Sequence, residues 1–273
     1  TITQWWAPDD FPGMFQLVIR GFAAFGIFAL ISGSIYIFND LFDIQADRLH
    51  QRKRNRPIAS GILSAKLAIY LAFTFGSIGI ATAFLLSSDL GYITVAYIIL
   101  MQIYNLFLKT QVILDVMAIA SGFVLRAVAG AVAINQTKIA NSELDLTISP
   151  WLYICTALGA LLIALAKRRG ELIESNEGAQ QRGTLAHYTL PYLDLLISTV
   201  APATLVSYSM YTFSGSGFFK LNVPENNSMM LTIPFVAYGL FRYLYLIHIK
   251  SLGETPEEIL LTDRPLIAVI CVW

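Results

Sequence analysis

FNDLFDIQADRLHQRKRNRPIASG, residues 38–61, sets Asn39, Asp40, Asp43 and Asp47 ahead of five cations, Arg48, Arg52, Lys53, Arg54 and Arg56. The acids stand at the end of a long apolar run, and the stretch is the most charged part of an otherwise oily chain. What could hold two such blocks of charge at the end of a hydrophobic segment decides what kind of protein this is.

The surroundings supply the frame. Of 273 residues, 56% are hydrophobic and only 13% charged, with a mean hydropathy of +0.63. A soluble domain carries about 25% charged residues. Eight apolar segments can be read: 14–42, 65–87, 91–108, 112–135, 150–167, 191–213, 229–249 and a last one opening at Pro265. Most approach the ~20 residues that cross a bilayer. Lipid offers the backbone no hydrogen-bond partners, so spans must be helical. The expectation is an all-α integral membrane protein, a multi-pass helical bundle forming one domain over 1–273. Its surroundings are membrane lipids, and nothing in it suggests a nucleic-acid partner. Trp5 and Trp6 suit an interfacial belt. Both termini look truncated, the last segment stopping at Trp273. Cys155 and Cys271 lie in apolar runs and read as buried thiols.

Charge orients the bundle. Alternate loops (43–64, 109–111, 167–190 and 250–264) hold twelve of the eighteen Lys and Arg, and the opposite loops hold only Lys138 and Lys220. The positive-inside rule places the first set in the cytoplasm, on the cell membrane's inner face. The opening stretch and Lys167, Arg168, Arg169 and Glu171 share that side, so a site there would face cytosolic solutes.

On a helix, Asp40, Asp43 and Asp47 fall at i, i+3 and i+7, and Asn39 stacks with Asp43 and Asp47, so all four share one face. Carboxylates this close repel one another unless a cation is present. Oxygen ligands of this kind suit Mg²⁺, which takes carboxylates, water and substrate phosphates. The alternative is a solvated helix end whose acids pair with the following Arg and Lys. The spacing favours the metal–diphosphate site.

NDLFDIQADR followed by RPIASG resembles the NDxxDxxxD motif of the UbiA superfamily of intramembrane prenyltransferases. The resemblance implies a nine-helix bundle in which the motif binds Mg²⁺ and a substrate diphosphate, here with Asn39, Asp43 and Asp47 as ligands and Asp40 behind them. Most members carry a second, DxxxD-like motif after the fifth helix. Here that place reads ALAKRRGELIE (164–174), with Lys167, Arg168 and Glu171. Two cations and one acid would serve a second metal poorly and an anionic substrate well. Together with YNLFLKTQVILDVMAIASGFVLRAVAGAVA (104–133) and GETPEEILLTDRP (253–265), the stretch resembles the branch that makes decaprenylphosphoryl-phosphoribose. That branch moves phosphoribose from phosphoribosyl diphosphate to a polyprenyl phosphate.

The remaining charges fit such chemistry. Arg56, Lys109, Lys167 and Arg168 are candidates for the 5-phosphate, diphosphate and lipid phosphate, Arg as a planar fork and Lys as a point charge. Each could instead be a cation snorkelling to headgroups, and Lys167 with Glu171 could be a plain i, i+4 ion pair. Asp115 and Arg126 are charges inside one membrane segment, which makes them site candidates; Arg126 suits a donor phosphate or an ion pair that shapes a cavity. Tyr104 sits near Lys109 and could hydrogen-bond a sugar. Two other classes stay open: a prenyltransferase proper, which calls for a second DxxxD, and a non-enzymatic transporter of phosphorylated lipids or anions, which needs no Mg²⁺ cluster.

Overall fold

The computed structural model of the protein describes residues 11–49, 53–135, 138–139, 142–143, 150–176, 185–213, 228–250, 253 and 255–273. Ten α-helices follow in chain order: α1 (Phe11–Phe42), α2 (Ile44–Leu49), α3 (Ala65–Leu86), α4 (Ser88–Leu106), α5 (Leu114–Asn135), α6 (Pro150–Asn176), α7 (Leu190–Phe213), α8 (Ile233–Ile249), α9 (Pro256–Thr262) and α10 (Arg264–Val272). The all-helical expectation meets one small exception, an antiparallel hairpin of β1 (Lys138–Ile139) and β2 (Ser142–Glu143).

Among the described residues, seven helices are long and apolar enough to cross a membrane. The eighth expected segment forms as α10, but its nine residues rise only about 13 Å, well under the ~30 Å hydrocarbon core. The fifth run is longer than its hydropathy suggests: α6 continues through the charged stretch to Asn176. Expected interfacial residues Trp5 and Trp6 lie outside the described residues. Both cysteines are free thiols, but Cys271 is exposed and Cys155 only partly buried, against the expectation that both are buried.

The chain divides into two compact units. The first, Ile2–Lys109 with Leu125–Leu146, contains α1 to α4 and the C-terminal half of α5. Here α1 packs chiefly on α3. The buried positions of α3 are all small, Ala68, Ala72, Gly79 and Ala83. Small residues let helices approach where lipid supplies no hydrophobic drive. At Gly79 a Cβ would lie 2.5 Å from Ile31 Cδ1. Ser34 Oγ crosses the same seam to donate to Ala72 O at 2.7 Å. Ser87 punctuates the chain: its N–H closes α3 on Ala83 O, and its hydroxyl caps α4 by accepting from Leu90 N–H.

The second unit, Thr110–Val124 with Thr147–Trp273, contains the N-terminal half of α5 and α6 to α10. Its core joins Val116, Leu165, Leu193, Ile197 and Ile247. Asp263 caps α10 by accepting from Leu266 N–H, and its carboxylate receives Arg242.

Candidate functional site

The first charge cluster lies in the first unit. α1 gives way to α2 at Asp43, yet Asp43 N–H donates to Asn39 O at 3.0 Å and Asp47 N–H to Asp43 O at 2.8 Å. The helical register therefore survives the junction, and Asn39, Asp40, Asp43 and Asp47 keep one face. Asp47 is buried, 5% exposed, whereas Asp40 and Asp43 are partly open.

The RPIASG segment folds back onto this face. Arg48 Nε donates to Ala59 O at 3.0 Å, and Ile58 and Ala59 are buried. Turn bonds run from Ser60 N–H to Arg56 O and from Leu63 N–H to Pro57 O. Gly61 takes φ +82°, which a side chain would strain. This knot delivers Arg56, whose Nη1 reaches Asp40 Oδ1 at 2.7 Å and Asp47 Oδ2 at 2.9 Å. From beyond α4, Lys109 Nζ reaches Asp43 Oδ1 at 2.9 Å. Each carboxylate thus meets a cation, three acids against two. Ion pairing by nearby cations, the alternative weighed above, describes this arrangement, with Lys109 coming from 66 residues away.

As oxygen donors, Asn39, Asp43 and Asp47 fit a hard divalent cation. Among the described residues no three acids already enclose a metal-sized space. An incoming ion would exchange with Arg56 and Lys109 for the carboxylates. Arg126, also in this unit, lies on Tyr97: Nε donates to the hydroxyl at 3.1 Å, Nη2 shares that oxygen, and Cζ stands 5.1 Å from the ring centroid. Tyr104 is partly buried on α4.

The second cluster lies in the second unit, and its three consecutive cations have three fates. Arg168, 5% exposed, donates Nε to Asp115 Oδ2 at 2.7 Å, and Nη1 pairs with Glu171. Asp115 is fully buried. Its other oxygen accepts from Tyr188 Oη at 2.8 Å, while that hydroxyl accepts from Ile113 N–H at 2.7 Å. Burial pushes the Tyr188 phenol above its ordinary pKa, so it stays a neutral donor. Ile113 adopts φ +70°, a left-handed conformation rare for a β-branched residue. Arg169 pairs with Asp194 at 2.6 Å and donates to Ile247 O; His248 Nε2 lies 3.2 Å from the same carboxylate. Lys167 is partly buried and has no ion-pair partner among the described residues. The i, i+4 pair with Glu171 gives way to an i, i+3 pair with Arg168.

Gly253 lies against this part of α6. A Cβ at Gly253 would lie 2.6 Å from Ala166 O and 3.5 Å from Gly170 N, so only glycine permits the approach. Arg48 stands among the five cations named from the sequence without a role of its own, and Tyr188 is not singled out there. Arg48 directly follows Asp47 and carried a local signal; Tyr188, 73 residues from Asp115, carried none.

The model of the UbiA prenyltransferase family matches residues 5–257. The decaprenyl-phosphate phosphoribosyltransferase of Mycolicibacterium smegmatis is 34% identical over 255 residues, spanning 92% of this chain and 76% of the relative. The enzyme of that name from Mycobacterium tuberculosis H37Rv is 32% identical, over 92% and 78%. A solved UbiA homolog from Archaeoglobus fulgidus, bound to DMAPP and Mg²⁺, superposes with a TM-score of 0.66. It is 18% identical and covers 94% of this chain and 88% of its own. That likeness concerns the fold.

Proposed function

The chain belongs to the UbiA prenyltransferase family and is a multi-pass membrane transferase; from that premise we propose that it transfers 5-phosphoribose from phosphoribosyl diphosphate to a polyprenyl phosphate, releasing diphosphate. The whole stretch 1–273 works as one transferase domain, with both charge clusters on the cytoplasmic side of the cell membrane. The observation that carries this reading is the second cluster. Where a second metal-binding acid pair would serve a prenyl diphosphate, the chain has Lys167, a cation left uncommitted beside two arginines already held by acids. The two mycobacterial relatives are named for phosphoribosyl transfer to decaprenyl phosphate, which supports the same transferred group and a polyprenyl phosphate acceptor.

Asn39, Asp43 and Asp47 would hold Mg²⁺, with Asp40 behind them, and the ion would supply charge neutralisation on the departing diphosphate. Arg56 and Lys109, released from the acids, turn to the donor's phosphates. Lys167 holds the lipid phosphate; Arg168, locked to both Asp115 and Glu171, fixes the helix turn that presents it. In the transfer the ribose C1–O bond to diphosphate breaks, and a bond forms from C1 to an oxygen of the lipid phosphate. Attack from the opposite face inverts the anomeric carbon. A phosphate monoester is already anionic near neutral pH, so no strong general base is required. What the protein contributes is the positioning of two anions that repel each other.

The test offers the purified protein Mg²⁺ and a polyprenyl phosphate with phosphoribosyl diphosphate, or a prenyl diphosphate with an aromatic acceptor, and weighs the lipid product. A phosphoribosylated lipid phosphate is the expected result. Product from the prenyl donor alone overturns the assignment in favour of a prenyltransferase proper. Asp43→Asn and Asp47→Asn should each abolish turnover; full activity of both at limiting Mg²⁺ removes the metal assignment.

A further inference from the structure

The inward stripe of α4 runs Thr94, Tyr97, Met101, Asn105 at intervals of three and four residues. Tyr97 commits its hydroxyl to Arg126. Asn105 does not resolve in the same way. It is 6% exposed, and its amide Nδ2 is buried with no acceptor, while Ile103, Leu106 and Phe107 around it are exposed. Thr94 Oγ1 is also unpartnered, but it lies eleven residues away, about 16 Å along the helix.

A buried N–H with no acceptor destabilises a fold, and an apolar side chain of similar shape would remove that penalty. Asn105 occupies the last turn of α4, four residues before Lys109, whose ammonium sits on Asp43. The orphan donor is therefore stationed at the end of the helix that leads to the first charge cluster. That cluster already supplies cations for phosphate groups. A neutral amide adds nothing to charge balance, but it can recognise a neutral oxygen by position.

We propose that Asn105 Nδ2 donates a hydrogen bond to a ribose hydroxyl of the donor held at the first cluster, and so selects a sugar over a prenyl chain. This rests on the phosphoribosyl reading above. A prenyl group offers no acceptor, so binding it would leave the amide buried and unsatisfied, the kind of mismatch that rejects a substrate lacking its hydroxyl.

The experiment compares wild type with Asn105→Leu and Asn105→Ala. It measures melting temperature and the Kd of phosphoribosyl diphosphate and of inorganic diphosphate, each with Mg²⁺. Asn105→Leu should melt no lower than wild type. In both variants the Kd for phosphoribosyl diphosphate should rise roughly tenfold while that for inorganic diphosphate stays put. Equal weakening of both ligands overturns the proposal, because the amide then meets the diphosphate. No change in either also overturns it, with wild-type product formation leaving the phosphoribosyl reading intact. If wild type holds phosphoribosyl diphosphate no better than inorganic diphosphate and makes no phosphoribosyl lipid, both readings fall together.

Discussion

Lys167, Arg168 and Arg169 are consecutive and chemically alike, yet their alanine variants should fail in three different ways. Arg168→Ala removes the cation from a fully buried Asp115 carboxylate and breaks the bond to Glu171. Removing one member of a buried ion pair costs about 3–5 kcal/mol. At roughly 2–4 °C per kcal/mol for a chain of this size, melting should fall by about 6–20 °C. Arg169→Ala removes a bond to the partly open Asp194 and one to Ile247 O; about 1–2 kcal/mol is expected. Lys167→Ala removes no ion pair and should stay within about 0.5 kcal/mol of wild type. Its effect should fall on function instead. Losing one charge-assisted contact to a phosphate, about 1.5–3 kcal/mol, raises the KM for the lipid phosphate roughly 10- to 150-fold with the Mg²⁺ requirement unchanged. The assay pairs thermal melts in one detergent with KM titrations of donor and acceptor. Asp115→Asn combined with Arg168→Gln should cost less than the sum of its parts, since no buried charge is left at position 115. A stable Arg168→Ala beside an unfolded Lys167→Ala would refute the reasoning.

Gly253→Ala forces a methyl against Ala166 O and should destabilise by about 1–3 kcal/mol, read as a lower melting temperature; an unchanged melt would show that Gly253 does not seat on α6. In a background lacking Cys155 and Cys271, Lys53→Cys and Gln181→Cys should react with an impermeant thiol reagent only from the cytosolic side, and Asn141→Cys and Asn226→Cys only from the other. Arg242, hydrogen-bonded to Asp263, holds that carboxyl below the usual carboxylate range. Because the folded-state pKa is depressed, the pair's contribution is complete above the unfolded value of about 3.9 and is lost as pH falls through the folded one. The melting difference between wild type and Asp263→Asn should therefore be flat from pH 7 to about 4 and shrink below, with a difference that grows on acidification counting against the ion pair.

Apolar runs made the spans legible because lipid leaves the backbone no alternative to the helix. Hydropathy misjudged α6, whose run ends where the charges begin. The helix continues because Arg168 and Arg169 find acids on other elements, a tertiary fact invisible in a window of sequence. The first motif was readable since its four oxygen-bearing side chains share one helix face. Its counterions divide the same way. Arg56 lies nine residues from Asp47 in an adjoining turn, whereas Lys109 and Asp43 are joined only by folding. Asp115 stood out as a charge in a membrane segment, but its partner, 53 residues on, did not. Asn105 looked like any amide near a helix end until its burial could be seen.

The pairing of Asp40, Asp43 and Asp47 with Arg56 and Lys109 has a thermodynamic consequence. A divalent ion arriving alone must compete with two built-in cations for its carboxylates. A polyphosphate arriving alone must compete with carboxylates for the same two cations. With Mg²⁺ and diphosphate bound here as proposed, each would remove the other's competitor and their affinities would be linked reciprocally: the factor by which Mg²⁺ tightens diphosphate would equal the factor by which diphosphate tightens Mg²⁺. The resting cluster would thereby be quiet towards both stray cations and uncomplexed phosphates, and would respond to their conjunction as a coincidence detector does.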